Sequence, residues 1–288
     1  MPNAVAARQA LIKSSRAVGK YRHLVLSAPG IAEGVRPGQF AAIAVGGPSS
    51  AMVTRRAFSI HKVNRSTALE AQTLELIVAP KGTGSTWLTE LAIGDSVDII
   101  SPLGKPFALP VDPVPCLLVG GGYGAAPLAF LGQELAARGC QVDFILGAGT
   151  EERLFGVLEA KRMATNFQIT TDDGTSGVQG RVSDVMPDIM LKEGTAVVYA
   201  CGPMPMLEAV ARVAAEHGAV SQVAVEENMS CGVGVCMSCV LPVVGEDGVT
   251  RMTRSCVDGP VFRGNRVRWD SLDEVPADCL GSPTGGGH

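Results

Sequence analysis

Hydrophobic and polar positions divide the chain into three stretches with different rhythms. Up to residue 112 the apolar positions come in short runs, Leu24–Leu26, Ala41–Val45, Leu74–Val78 and Val97–Ile100. Turn signals separate them: Pro29-Gly30, Pro37-Gly38 and Gly46-Gly47-Pro48. Strands at this spacing with no long helical pattern predict an antiparallel β-barrel or sandwich, with one short helix over 84–91. Asp112-Pro113 is the expected boundary. From 113 to 225 strand-like runs alternate with helical ones. Strands are expected at Cys116–Val119, Gln141–Leu146, Phe167–Thr170 and Ala196–Ala200, and helices at Ala126–Arg138, Arg153–Met163 and Met204–His217. Gly139 and Gly218 stand where C-caps belong. That alternation predicts a parallel sheet with crossover helices. Residues 226–288 form a smaller unit rich in Gly and Cys, and Gly281–His288 reads as a disordered tail. No internal repeat is visible.

Residues 113–132 carry no charge and have about the length of a membrane span. Four glycines at 120, 121, 122 and 124, with Pro115 and Pro127, fit strand–turn–helix instead. The chain is 46% hydrophobic and 18% charged over 288 residues, which supports a real core. The net charge of 24 − 28 = −4 and an aromatic content of 5% argue against a nucleic-acid binder.

The eight cysteines add chemistry. The N-terminal residues lack the apolar stretch of a secretory signal, so a cytoplasmic setting with reduced thiols is expected, and clustered thiols there bind metal or do redox work. Cys231, Cys236 and Cys239 give C-x4-C-x2-C, and Cys256 follows. This is the plant-type [2Fe–2S] spacing: a tight loop wraps three thiolates round one side, and Gly232 and Gly234 let backbone N–H groups approach the sulfurs. A structural zinc remains open, although zinc sites pair two short knuckles and Cys256 has no near partner. Cys116 and Cys140 read as core residues, and Cys279 as surface or tail.

Gly120-Gly121-Gly122-Tyr123-Gly124 follows a strand and opens a helix, where an α/β sheet takes a pyrophosphate; close helix–sheet packing is the plain alternative. Cys201-Gly202-Pro203 makes a second turn at the same sheet edge. Arg56 and Ser59 on one strand could hold a phosphate and a flavin edge, and the loop 81–86 a second phosphate. Glu151 or Glu152 would favour the ribose hydroxyls of NAD, with adjacent Arg153 pulling the other way. Arg251, Arg254, Arg263, Arg266 and Arg268 surround the fourth cysteine. They either raise a cluster potential, form a partner surface or make a solvated basic face.

In this order, the barrel with R-x-x-S, the turns G-G-G-x-G and C-G-P-M, and the cysteine loop resemble the ferredoxin–NADP reductase superfamily. More closely they resemble the electron transfer subunits of class B dihydroorotate dehydrogenases. Glu227 to Cys239 matches that family's E-x-M-x-C-G-x-G-x-C-x-x-C, and Cys256 to Phe262 its C-x-D-G-P-V-F. The resemblance spans about 10–270. It implies an FAD-binding barrel (1–112), a nicotinamide-nucleotide domain (113–225) and a [2Fe–2S] domain (226–288). Arg56, Ala57, Phe58, Ser59, Ile77, Val78, Ala79, Gly84 and Ser85 fall on its FAD contacts. Gly120, Gly121, Gly122, Gly124, Cys201, Gly202 and Pro203 fall on its NAD side, and Cys231, Cys236, Cys239 and Cys256 on its cluster ligands. Ala57 stands where the family usually has Pro, Ala79 where it often has a basic residue, and Ser85 where it has Thr. The loss at Ala79 puts a phosphate contact in doubt.

The resemblance further implies an FMN-containing catalytic subunit as partner, a heterotetramer, and electron flow from dihydroorotate to NAD⁺ in pyrimidine biosynthesis. Related iron–sulfur reductase subunits, of the NADH/NADPH:ferredoxin or sulfhydrogenase type, are the nearest alternative. A zinc-stabilised binding module is the alternative from another class. No acid–base pair for a carbon substrate stands out.

Overall fold

The computed structural model describes residues 5–47 and 50–282. The tail reading at 283–288 and the loop positions Pro48 and Ser49 lie outside these. The first half is a closed six-stranded antiparallel barrel: β1 (Ala6–Val18), β2 (Tyr21–Ser27), β3 (Phe40–Ile43), β4 (Arg56–Asn64), β5 (Thr73–Val78) and β6 (Ser96–Leu103), with α1 (Thr83–Glu90) before β6. Its strand order is β1-β2-β5-β4-β3-β6. Closure removes the exposed edges an open sheet would leave. The barrel is filled by inward residues at period two, among them Leu24 and Leu26, Leu74 and Leu76, and Val97 and Ile99. Strand β1 was not foreseen: only Ala10 and Ile12 of its residues are buried, because the rest of it faces outward.

The second half is a seven-stranded sheet. Its parallel strands are β7 (Cys116–Gly121), β8 (Val142–Ala148), β9 (Phe167–Thr171), β10 (Val178–Gln179), β11 (Val197–Cys201) and β12 (Val220–Ala224). The helices are α2 (Ala126–Ala137), α3 (Val157–Met163), α4 (Val182–Glu193) and α5 (Met204–Glu216). Along β7 the side chains alternate between faces. Leu117 and Val119 pack with α4 and α5, while Cys116 and Leu118 pack with α2 and α3. Helix α4 was missed because Pro187 lies inside it and Gly174, Gly177 and Gly180 precede it. The helix expected over 153–163 is interrupted at Gly156, whose φ of +74° stops any continuous turn.

After residue 226 come a hairpin, β13 (Val240–Val244) and β14 (Thr250–Arg254), and then β15 (Val261–Arg263). Strand β15 pairs antiparallel with β12 and completes the sheet, whose order is β10-β9-β8-β7-β11-β12-β15. Cys279 is buried at 5% exposure, its backbone bridged to Thr250, so it is neither surface nor tail. Cys116 and Cys140 are buried, as expected.

Barrel and sheet meet along β4 and α2. His61 on β4 donates from Nδ1 to the carbonyl of Ala126 at 2.5 Å, Lys62 ion-pairs with Glu159 of α3, and Tyr21 donates to the Arg153 carbonyl at 2.9 Å. Burial pushes the His61 imidazole down to about 4, against the pull of its hydrogen bond. The folded protein therefore refuses a proton that the unfolded chain accepts from about pH 6.5 downward. Stability present above pH 6.5 is lost as pH falls towards 4, by about 3 kcal/mol in all. Urea unfolding at pH 7 and pH 4.5 should show this loss in the native protein and not in His61→Asn.

Candidate functional site

Two clefts lie side by side where the barrel meets the carboxyl edge of the sheet. The first, of about 980 Å³, is lined by Arg56, Ala57, Phe58 and Ser59 of β4, by Ile77 and Ala79, and by Gly84 and Ser85 of α1. Eight of the nine residues expected at FAD therefore line one cavity. The ninth, Val78, is fully buried, and its side chain belongs to the barrel core. Strand alternation explains the split: Ile77 and Val78 point to opposite faces. The Arg56 guanidinium is steadied at the cleft by the carbonyl and hydroxyl of Thr54, at 2.9 and 2.6 Å. Gly84 has no room for a side chain, since a Cβ would stand 2.8 Å from Val45.

The Ser85 hydroxyl accepts the backbone N–H groups of Lys81 and Gly82, at 3.0 and 3.1 Å. Those two N–H groups therefore shape the turn. Ala79 lacks a charge, but Lys81 beside it supplies one. Its Nζ donates to the Tyr123 hydroxyl at 2.6 Å and lies 4.3 Å from that ring's centroid. Tyr123 and Glu226 were not singled out from the sequence, and Lys81 only as the first residue of the loop 81–86. Tyr123 stands inside the glycine turn, which was the available signal.

The second cleft, of about 860 Å³, lies outside the ends of β7, β8, β9 and β11 and is lined by Gly121, Gly122 and Pro203. The strand order reverses between β7 and β11, the switch point at which open α/β sheets bind ligands. Gly120 and Gly202 do not line it. They let the two turns close up: a Cβ on Gly120 would meet Ala125 at 2.6 Å, and one on Gly202 the Gly121 backbone at 3.0 Å. Gly124 lines the first cleft and presses on Gly202 in the same way, at 2.8 Å. Within the glycine turn, Gly121 and Gly122 therefore line the second cleft and Gly124 the first, while Gly120 answers to close packing. Cys201 is buried at the end of β11 and lines the first cleft, and burial followed by the nearby Glu226 raises its thiol pKa. It is a neutral thiol, not a nucleophile. Neither Glu151 nor Glu152 lines the second cleft; Glu152 pairs with Lys20 at the surface. Asp172, just beyond β9, lines the cleft with Arg153 alongside, and Glu226 is the second carboxylate there. Ala79, Lys81, Tyr123 and Glu226 line both clefts, so they share a wall.

The four cysteines of the loop sit against the barrel. Cys239 and Cys256 are buried with Phe40, Ala42 and Leu103, whereas Cys231 is half-buried and Cys236 exposed. The thiols pair two and two, Cys231 beside Cys236 and Cys239 beside Cys256. Among the described residues, no three His, Cys, Asp or Glu side chains gather to hold a single ion. Two pairs fit two irons, each taking two thiolates, better than one tetrahedral zinc. The N–H groups of Val233 and Val235 approach the Cys231 sulfur, both at 3.4 Å, and Gly232 and Gly234 have φ of +73° and +82°. Against partial burial, these N–H groups and that of Cys236 bring the Cys231 thiol down to about 6. Phe40 and Met229 pack with Cys239 and Cys256 and also line the first cleft. The cysteine loop and the first cleft therefore adjoin, and the first cleft lies between the loop and the second.

Barrel, switch-point sheet and paired thiols together define an iron–sulfur flavoprotein oxidoreductase of the ferredoxin reductase type. The family model for the iron-sulfur cluster binding domain of dihydroorotate dehydrogenase B matches residues 226–268, and that for the oxidoreductase NAD-binding domain matches 118–212. The chain belongs to the family of dihydroorotate dehydrogenase B (NAD(+)) electron transfer subunits. It is 36% identical to the subunit from Desulforamulus reducens, over 86% of this chain and 92% of that one. It is 36% identical to that of Listeria innocua, over 89% and 96%. Its structure is similar to that of an NADH-dependent reduced ferredoxin-NADP oxidoreductase, with a TM-score of 0.78 and 29% identity over 91% of each chain. Its cofactors are FAD, a [2Fe–2S] cluster and NAD. Among the described residues no helix is long and apolar enough to cross a membrane.

Proposed function

We propose that this chain carries electrons from the FMN-containing catalytic subunit of dihydroorotate dehydrogenase B to NAD⁺, in the cytoplasm, as a step of pyrimidine biosynthesis. The observation that carries this reading is the row of three adjoining sites: paired thiols, first cleft, second cleft. FAD, when bound, supplies the exchange between one-electron and hydride chemistry that such a row needs. Arg56, Ser59, Ile77, Gly84 and Ser85 would hold it in the first cleft. Gly121, Gly122 and Pro203 would hold the nicotinamide nucleotide in the second. Cys231, Cys236, Cys239 and Cys256 would hold the cluster. Lys81, Tyr123 and Glu226, which line both clefts, would be shared by the two nucleotides, and Phe40 and Met229 would supply apolar surface between FAD and the cluster.

The exposed side of the cysteine loop supports a partner there. Val235, Met237 and Val233 are 79%, 51% and 45% exposed around Cys236. An apolar patch beside a redox centre marks a docking face, and one side of the heterotetramer would sit on it.

Mixing this chain with the catalytic subunit tests the reading. Dihydroorotate-dependent NADH formation should require both proteins, and the two should co-elute. The similarity to the ferredoxin-NADP oxidoreductase favours a second reading, a ferredoxin-linked reductase subunit. A chain loaded with FAD and cluster that forms NADH from reduced ferredoxin but never from dihydroorotate would establish that reading instead.

A further inference from the structure

The five arginines around the fourth cysteine are not alike. Arg251 is tied to Asp247, and Arg268 to Asp270 and Asp278. Arg254, the last residue of β14, reaches the ligand loop: its Nη1 donates to the Gly234 carbonyl at 3.1 Å. That carbonyl belongs to the same peptide unit as the Val235 N–H, which approaches the Cys231 sulfur at 3.4 Å. A peptide held at its oxygen by a cation is fixed in orientation and polarised, so its N–H becomes a stronger donor. The backbone of Arg254 works on the other side of the loop. Its carbonyl accepts the N–H groups of Val257 and Asp258, at 3.2 and 2.8 Å, making the turn that carries Cys256. Gly234 leaves no slack, since a Cβ there would stand 2.5 Å from Val257. Asp258 is the counter-charge, with its carboxylate 3.7 Å from Arg254 Nε.

We propose that Arg254 is a positioning residue for the cluster: its guanidinium holds the Gly234–Val235 peptide so that the Val235 N–H faces the Cys231 sulfur, and its positive charge raises the cluster's reduction potential. The inference rests on the iron–sulfur reading above. Reduction adds one negative charge to the cluster, so a nearby cation and a donor to sulfur both favour the reduced state. Asp258 opposes that effect.

EPR-monitored redox titration of the purified protein tests this. Arg254→Gln should lower the potential, shifting the oxidised-to-reduced ratio at fixed applied potential by about ten-fold, about 59 mV for one electron. Arg254→Lys, which keeps the charge, should recover most of the difference. Asp258→Asn should move the potential upward. A loop damaged merely in structure would move both neutral variants the same way, and that result, or no movement in Asp258→Asn, would overturn the proposal. Should Arg254→Gln assemble no cluster, the Lys and Asn variants still read the charge. Wild-type protein that binds no iron or sulfide would sink the iron–sulfur reading itself, a different failure.

Discussion

Cys239→Ser should abolish dihydroorotate-dependent NAD⁺ reduction, by at least about three orders of magnitude, and leave NADH-driven reduction of a dye through FAD intact. Position 239 is buried among Phe40, Ala42, Leu103 and Cys256, an apolar setting that disfavours an alkoxide. A hydroxyl ligates iron poorly, and only three thiolates remain for two irons. The broad visible absorption of the cluster should vanish while the flavin bands stay. Iron and sulfide content, measured with the two assays, separates the cases. Full cluster absorption in the variant would mean that Cys239 is not a ligand.

Gly124→Val should have the second largest effect, at the opposite end of the relay. A Cβ at Gly124 would lie 2.8 Å from the Gly202 Cα and 3.1 Å from the Cys201 carbonyl. These are backbone atoms that no rotamer change can move, so the two turns must part. Parting them displaces the edge of the second cleft relative to the first. Displacements of about 1 Å at a reacting centre cost about 10²-fold in rate. Stopped-flow reduction of the bound flavin by NADH should slow by about that factor, and the KM for NADH should rise at least ten-fold. Cluster content should match the wild type, since the clash lies at the two glycine turns; FAD content is assayed alongside, because Gly124 also lines the first cleft. A normal hydride-transfer rate would show that the turn contact does not set the nucleotide's pose.

Much of this arrangement was legible in the sequence. Regular hydrophobic spacing marked the sheet strands β7, β8, β9 and β11, and the C-x4-C-x2-C loop identified its own chemistry because cluster ligation is a local demand. The residues of β4 and α1 that the resemblance assigns to FAD line one cavity. Features that depend on long-range closure were less legible. Strand β1 carries little apolar signal because it needs only Ala10 and Ile12 inside. Phe40 comes to the cysteines through barrel closure, and nothing in its own neighbourhood announces that. The ribose carboxylate was expected at Glu151 or Glu152, yet the turn after β8 carries both away from the cleft. Asp172, one strand further across the sheet, stands there instead. Cys279 resembled a tail residue by position, and only the bridge to Thr250 reveals its burial.

Strand β15 changes how separable the three tasks are. The segment that follows Cys256 runs within a few residues into Val261–Arg263, and these pair with β12 while Phe262 joins the core between the sheet and α5. The iron–sulfur unit is thus not a bead on a string. Cutting the chain after 225 would bare the β12 edge, remove an aromatic from the core and leave a surface prone to pair with other chains. A chimera meant to graft this cluster onto another reductase, or to strip it from this one, must take its boundary through the nucleotide sheet and supply a replacement seventh strand. Recombination at the apparent domain border would yield neither a working reductase nor a working ferredoxin-like module.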